Sequence, residues 1–262
     1  MQRAPHIPAH VMPILETLWS AGHAGYVVGG ALRDSLLGRP ASDWDVATDA
    51  RPERLQALFP GAHYENRFGT VLVSVEPDHV VEVTTFRRDF EYRDRRRPDR
   101  VEFSESLEED LSRRDFTINA LAYGRRADSE SPFTGTGREG VLELVDPSDG
   151  RRDLVAGILR AVGDPTERFE EDALRLLRAV RLATQLDFEI ESATLEALRA
   201  AAPHAASVSP ERVGQELRKM LAVPEPARGL RILTQTGLLV PLFPLLAGQV
   251  GLGQQKGPGV DL

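Results

Sequence analysis

The chain contains no cysteine. That single absence excludes a disulfide framework, a Cys-ligated zinc site and a thiol nucleophile. It also lacks any run of 18 apolar residues, so no membrane-spanning helix is expected. The N-terminus, MQRAPHIPAHV, has no basic segment followed by an apolar stretch, so no secretory signal is expected and the cytoplasm is the expected compartment. Lysine is nearly missing: of 32 basic residues only Lys219 and Lys256 are Lys. Arginine binds phosphate and base edges bidentately, although a GC-rich genome gives the same bias. Acids outnumber bases, and the net charge of −8 argues against a general nucleic-acid coat protein while leaving room for a local basic site. What is present is 262 residues at 41% hydrophobic, enough for a real core and for one large domain or two smaller ones.

The apolar pattern divides the chain near residue 150. Residues 26–28, 71–75 and 80–84 are short β-branched runs bounded by Gly, Pro or charge and read as strands, the last two joined as a hairpin through residues 76–79. Residues 141–145 form a further strand candidate, and 8–22, 30–37 and 52–59 read as helices. The first 150 residues are thus expected to be a mixed α+β domain with a small sheet. Beyond Asp153 the spacing turns helical, over 167–186, 192–202, 210–221 and 227–236, so residues 151–262 are expected to be all helix. Residues 87–100, with seven Arg and four acids, read as a charged loop, and 129–140 as a surface insertion. The closing segment GQVGLGQQKGPGVDL carries no helix signal and resembles a connector.

Two local patterns in the first half suggest chemistry. Gly29-Gly30 follows a strand and opens a helix, a place where a ligand can approach the backbone and free N–H groups face a phosphate. Arg33 in the first turn adds a bidentate cation. A tight strand-to-helix turn would look the same. Thirteen residues beyond Gly30 comes Asp43-Trp44-Asp45. Carboxylates at i and i+2 on an extended segment share a face, and two anions held together call for a cation between them. Hard oxygen ligands without His or Cys favour Mg²⁺. A lone D-x-D is more often a solvated turn or helix cap, but a phosphate cradle followed by a metal clamp is what nucleotidyl transfer needs. Glu82, mid-strand and facing away from Val81 and Val83, is the candidate third carboxylate; a solvent-facing strand Glu is the equal alternative.

The segment GGALRDSLLGRPASDWDVATDA (29–50) closely resembles the head motif of class II tRNA nucleotidyltransferases, the CCA-adding enzymes, and of the bacterial poly(A) polymerases of the same superfamily. VEVTTFR (81–87), the Arg-rich loop, EEDLSRRDFTINALAY (108–123), GDPTERFEEDALRLLRAVRLA (163–183) and SPERVGQELRKML (209–221) match in order, so the resemblance covers about residues 20–245. It implies a nucleotidyltransferase head at 1–150 and a helical neck and RNA-binding body at 151–262. It also implies addition of CMP or AMP from CTP and ATP to the tRNA 3′ end. An A-only member, either an A-adding tRNA enzyme or a poly(A) polymerase, shares the motifs, and a non-catalytic RNA-binding fragment is the competitor from another class.

On this resemblance Asp43 and Asp45 hold Mg²⁺ and, with Glu82, form the catalytic set, while Gly29, Gly30 and Arg33 hold the triphosphate. Asp115 and Asn119, i,i+4 on an expected helix, grip the ribose with Arg114 nearby; a surface salt-bridge network is the bland alternative. Asp172 and Arg175, i,i+3, offer one acceptor and one donor. Cytosine (N4 amine beside N3) and adenine (N6 beside N1) match that order; guanine and uracil present the reverse. An ion pair on a helix surface is the alternative. Arg178 and Arg181 continue the step toward the nucleotide or its phosphates, with ordinary solvated Arg favoured for Arg181. The loop at 87–100 has the length expected where A addition follows C addition. Family members run on beyond this length, so the RNA-holding arm is expected to be incomplete, with normal nucleotide binding and weak tRNA binding.

Overall fold

The computed structural model describes residues 5–64, 69–76, 79–90, 100–126 and 142–252. The chain opens with α1 (Met12–Ser20), β1 (Gly25–Val28), α2 (Gly29–Leu36), β2 (Asp45–Thr48), α3 (Pro52–Leu58), β3 (His63–Tyr64), β4 (Thr70–Glu76) and β5 (His79–Thr85). It continues through β6 (Arg87–Phe90), β7 (Arg100–Phe103), α4 (Leu107–Ser112), a 3-10 turn (Thr117–Asn119), β8 (Ala122–Arg125) and β9 (Glu143–Val145). Then follow α5 (Gly150–Ala156), β10 (Ile158–Leu159), α6 (Pro165–Glu171), α7 (Leu174–Leu186), β11 (Glu189–Ile190), α8 (Ser192–Ala201), α9 (Pro210–Leu221) and α10 (Pro226–Gln235). Among the described residues the main sheet has seven strands in the order β3-β4-β5-β2-β1-β8-β9. β1 lies antiparallel to both β2 and β8, whereas β2 and β5 are parallel, which sets Asp45 beside Glu82.

Alternation along β1 explains why it is central. Val27 faces a core with Leu15 and Leu18 of α1 and Leu55 of α3, while Tyr26 and Val28 face a second cluster with Phe86 and with Leu107 and Leu111 of α4. A strand buried on both faces has no solvent side to spend on polar residues. Each fully buried aliphatic side chain contributes about 1.5–3 kcal/mol. The first cluster does not stop at the sheet. It runs on through Phe116, Ile118 and Leu154 to Phe169, Leu176, Val180 and Leu198 of the helical half. Helix starts follow their capping residues: Ser106 accepts from the Glu109 amide at α4, and Asp164 accepts from the Thr166 and Glu167 amides at α6, with Pro165 at the first helical position.

The strands expected at 26–28, 71–75 and 80–84 are present, and β4 and β5 pair antiparallel up to Glu76 and His79. Three expectations need correction. The helix expected over 167–186 is broken at Asp172, which takes an extended conformation; its side chain accepts from the Leu174 amide and so starts α7 afresh. The half beyond residue 150 is not all helix, since β10 and β11 form a short parallel pair too brief to leave a periodic signal. The charged stretch at 87–100 is not loop at its ends: β6 and β7 pair antiparallel, and residues 91–99 lie outside the described residues. The surface insertion expected at 129–140 lies outside them too.

Gly124 on β8 shows how closely the head strands pack, because a Cβ there would lie 2.1 Å from the Gly25 carbonyl oxygen and 2.7 Å from the Tyr26 Cα. Gly124→Ala should therefore cost about 1–3 kcal/mol as overpacking in an ordered core. The measurement is the urea midpoint at unchanged slope; an unaltered midpoint would show that the sheet relaxes around the methyl group.

Candidate active site

The turn from β1 into α2 has no intervening loop. Gly29 makes it in the left-handed region (φ +77°), and a Cβ at this position would come within 3.1 Å of Asp45 Oδ2 and 3.5 Å of the Arg114 guanidinium. Glycine is thus required here for both conformation and close approach. No side chain caps the start of α2. Asp43 also has positive φ (53°) and sits in a turn ahead of β2, not on the extended segment expected from the sequence. Trp44 between the two acids is buried in the core, which anchors the turn and leaves Asp43 exposed and Asp45 half-buried.

A cleft of about 800 Å³ lies between this turn and the helical half. Gly29, Gly30, Arg33, Asp43, Asp45, Arg114, Asp115, Asn119, Asp172, Arg175, Arg178 and Arg181 all line it. Residues 150 positions apart in sequence therefore share one cavity of the size a nucleotide needs. Glu82 is exposed and does not line the cleft; it stands beside Asp45 in the sheet register.

Burial, the neighbouring Glu82 and Asp43 together push the Asp45 carboxyl up to about 6, opposed only by Arg114. An excess of negative potential is what a bound cation relieves. Among the described residues no three or more His, Asp or Glu side chains form a complete ligand set for a metal. The donor set is a pair of carboxylates. Mg²⁺ is commonly held by one or two carboxylates, with substrate phosphates and water completing the shell, so the pair fits that ion with a triphosphate bound.

Asp115 and Asn119 are not on an α-helix as expected. Asp115 precedes the 3-10 turn, and the two meet because the turn folds back: the Asn119 amide donates to Asp115 Oδ1 at 3.0 Å. Arg33 donates to Asn119 Oδ1 at 2.7 Å, and Arg178 donates to Asp115 Oδ2 through Nε at 2.7 Å, with Nη2 in ion-pair contact at 2.6 Å. One chain of polar contacts thus runs from α2 to α7. Burial alone would raise the Asp115 carboxyl, but Arg178, the Asn119 amide and Arg175 hold it well below the usual carboxylate range.

Asp172 and Arg175, expected to read the base, differ from expectation in geometry. Asp172 lies in the break before α7, so it and Arg175 are not stacked on one helix face, and no ion pair joins them. Asp172 is held by Arg212 of α9, while Arg175 donates to the backbone carbonyls of Arg168 and Arg113, each at 3.0 Å, and to Glu171. Arg181 is not solvated as favoured above: it is buried, paired with Glu216 of α9 and hydrogen-bonded to Gln185 at 2.8 Å.

The sequence reading missed Arg113, Arg212 and Lys219, which also line the cleft, and Glu216 and Asp110 behind it. Asp110 is buried and accepts from Arg113 and Arg114, a pairing that its i,i+3 and i,i+4 spacing announced. Arg212 and Glu216 are likewise i,i+4, but their partners lie some 30–40 residues away, and no local pattern reveals them.

Residues 25–160 match the family model described as a poly(A) polymerase head domain. Residues 187–249 match one described as a probable RNA- and SrmB-binding site of polymerase A. The CCA-adding enzyme of Geobacillus thermodenitrificans is 44% identical over 226 residues, covering 86% of this chain and 52% of that protein. The crystal structure of the Bacillus stearothermophilus CCA-adding enzyme in complex with CTP superposes with a TM-score of 0.78 at 39% identity, over 93% of this chain and 56% of that one. The Thermotoga maritima CCA-adding enzyme complexed with tRNA superposes at 0.70 and 27% identity, over 91% and 53%. The chain thus spans about half the length of the curated relatives it matches.

Asp115 also fixes an acid dependence. Its native carboxyl titrates far below the unfolded value of about 4. The stability it supplies is full above that value and is lost as pH falls through it toward the folded one. The denaturation midpoint should therefore fall from pH 6 to pH 3 more steeply in the unaltered chain than in Asp115→Asn. Parallel curves would show that Asp115 is not held in its charged form by Arg178.

Proposed function

Because the chain belongs to the nucleotidyltransferase family that carries the poly(A) polymerase head domain and includes the CCA-adding enzymes, we propose that it adds CMP and AMP from CTP and ATP to the 3′ end of tRNA without a template. The observation that carries this reading is the shared cleft. The glycine turn, the acid pair, the Asp115–Asn119 contact and the Asp172 and Arg175 groups all line one cavity. Residues 1–150 act as the catalytic head and 151–262 as the neck and RNA-binding body. Among the described residues no helix is long and apolar enough to cross a membrane, and the cytoplasm is the proposed compartment.

In this mechanism the triphosphate lies along the start of α2, where Gly29 and Gly30 let it approach the backbone and Arg33 supplies a cation already oriented by Asn119. Asp115 and Asn119 receive the ribose hydroxyls. Asp172 accepts from the exocyclic amine of cytosine or adenine while Arg175 donates to the adjacent ring nitrogen. Uracil and guanine place an acceptor against the carboxylate and leave buried polar groups unmatched. Asp43 and Asp45 would hold Mg²⁺, which supplies charge stabilisation at the α-phosphate and activation of the attacking hydroxyl. The tRNA 3′ oxygen forms a bond to the α-phosphorus as the bond to the pyrophosphate oxygen breaks, and the hydroxyl proton leaves to solvent. Glu82 acts through Asp45, keeping negative potential high where the cation sits.

The test is incorporation of labelled CTP and ATP into tRNA lacking its CCA end. Both nucleotides should be incorporated; AMP transfer without CMP transfer would assign an A-only enzyme, and no transfer of either would end the catalytic reading of this chain. Asp45→Ala should remove several kcal/mol of transition-state stabilisation, on the order of a thousandfold in kcat, with a denaturation midpoint no lower than that of the unaltered chain, since the ionised Asp45 is held against burial and like charges. Retained turnover in that variant would exclude Asp45 from the metal site.

A further inference from the structure

We infer that Arg212 is the positioning residue that turns Asp172 into a single-acceptor reader of the base. The inference rests on the proposed role of Asp172 in nucleotide selection. An ionised carboxylate offers about four lone-pair positions, and in the structure most of those on Asp172 are already taken. Oδ1 accepts from the Leu174 amide at 3.0 Å and from Arg212 Nη1 at 3.2 Å. Oδ2 accepts from Arg212 Nη2 at 2.7 Å, and no further donor reaches it among the described residues. Two bonds fill Oδ1, and Oδ2 keeps one position. Asp172 therefore presents one acceptor to the cleft, the number needed for one exocyclic amine.

The bidentate geometry does more than count. Two parallel N–H···O bonds fix the carboxylate plane, and the Leu174 amide fixes its tilt. Without Arg212 the Asp172 side chain stays tethered at Oδ1 alone and is free to rotate about χ2. Its anionic form also loses the adjacent cation. A rotated carboxylate no longer holds its acceptor against a carbonyl oxygen, so uracil regains ground on cytosine. Arg212 is set for this task by α9, where it is i,i+4 from Glu216; Glu216 in turn pairs with Arg181 and lies 4.0 Å from Arg178. One helix thus supplies both Arg212, which lines the cleft beside Asp172, and Glu216, which stands behind Arg181 and Arg178.

The experiment is titration calorimetry of the chain with CTP, ATP and UTP in Mg²⁺, for the unaltered protein, R212Q, R212K and D172N, with the denaturation midpoint of each. The unaltered chain should bind CTP and ATP more tightly than UTP. R212Q should weaken CTP and ATP binding about tenfold and bring the CTP-to-UTP ratio close to that of D172N. R212K, which restores charge without the fork, should recover part of the affinity but less of the ratio. Loss of the ratio in R212Q at a midpoint near that of R212K separates positioning from a general structural role. An R212Q chain that keeps the full CTP-to-UTP preference overturns the inference and leaves the base-reading role intact. Absence of any preference in the unaltered chain overturns the base-reading role itself.

Discussion

The ion pair between Asp115 and Arg178 is the contact on which the cleft depends. Asp115 lies just before the 3-10 turn in the sheet-bearing half of the chain, and Arg178 lies in α7 of the helical half. A carboxylate this buried is costly unless a cation and further donors meet it. Here both do: Arg178 takes Oδ2, and the Asn119 amide with the Phe116 backbone N–H takes Oδ1. Hydrophobic packing joins the two halves but does not fix the distance between side chains across them. The charged contact does, and through Asn119 it reaches Arg33 on α2.

Ion pairs of the same kind reconcile an acidic protein with a pocket lined by arginine. The net charge of −8 describes the whole surface, whereas the cleft gathers Arg33, Arg113, Arg114, Arg175, Arg178, Arg181 and Arg212. Each of the seven is tied to a named acid: Arg33 to Asp34, Arg113 and Arg114 to Asp110, Arg175 to Glu171, Arg178 to Asp115, Arg181 to Glu216 and Arg212 to Asp172. The acids hold the cations at fixed places without cancelling their use, since a guanidinium has five donors and these contacts occupy only some. Asp43 and Asp45 are the exception. Their like charges lean on one another and on Glu82, a local excess that suits a divalent cation.

Much of this arrangement was legible before any coordinates. The glycine turn, the Asp43–Asp45 acid pair, Asp172 and the Asp115–Asn119 pair all line one cleft. Alternation in 80–84 put Glu82 on the opposite face from Val81 and Val83, and that is where it lies. What remained hidden has physical causes. Periodicity read 167–186 as one helix because the break at Asp172 costs only two residues of pattern. The helical placement of Asp115 and Asn119 failed because a 3-10 turn brings i and i+4 side chains together without an α-helix. Arg212 and Glu216 escaped notice because their partners are distant in sequence, and Arg181 read as solvated because its partner is one of them.

A double-mutant cycle on Asp115 and Arg178, read as denaturation free energy, tests the account most directly. Arg178→Met and Asp115→Asn should each destabilise the chain by about 3 kcal/mol, as loss of one partner leaves the other buried and unmatched. The double variant should lose little more than either alone, a coupling of about 2–3 kcal/mol. Additive losses would contradict it, because they would mean that the head and the helical half are set in place by packing and that the ion pair follows from the cleft without holding it.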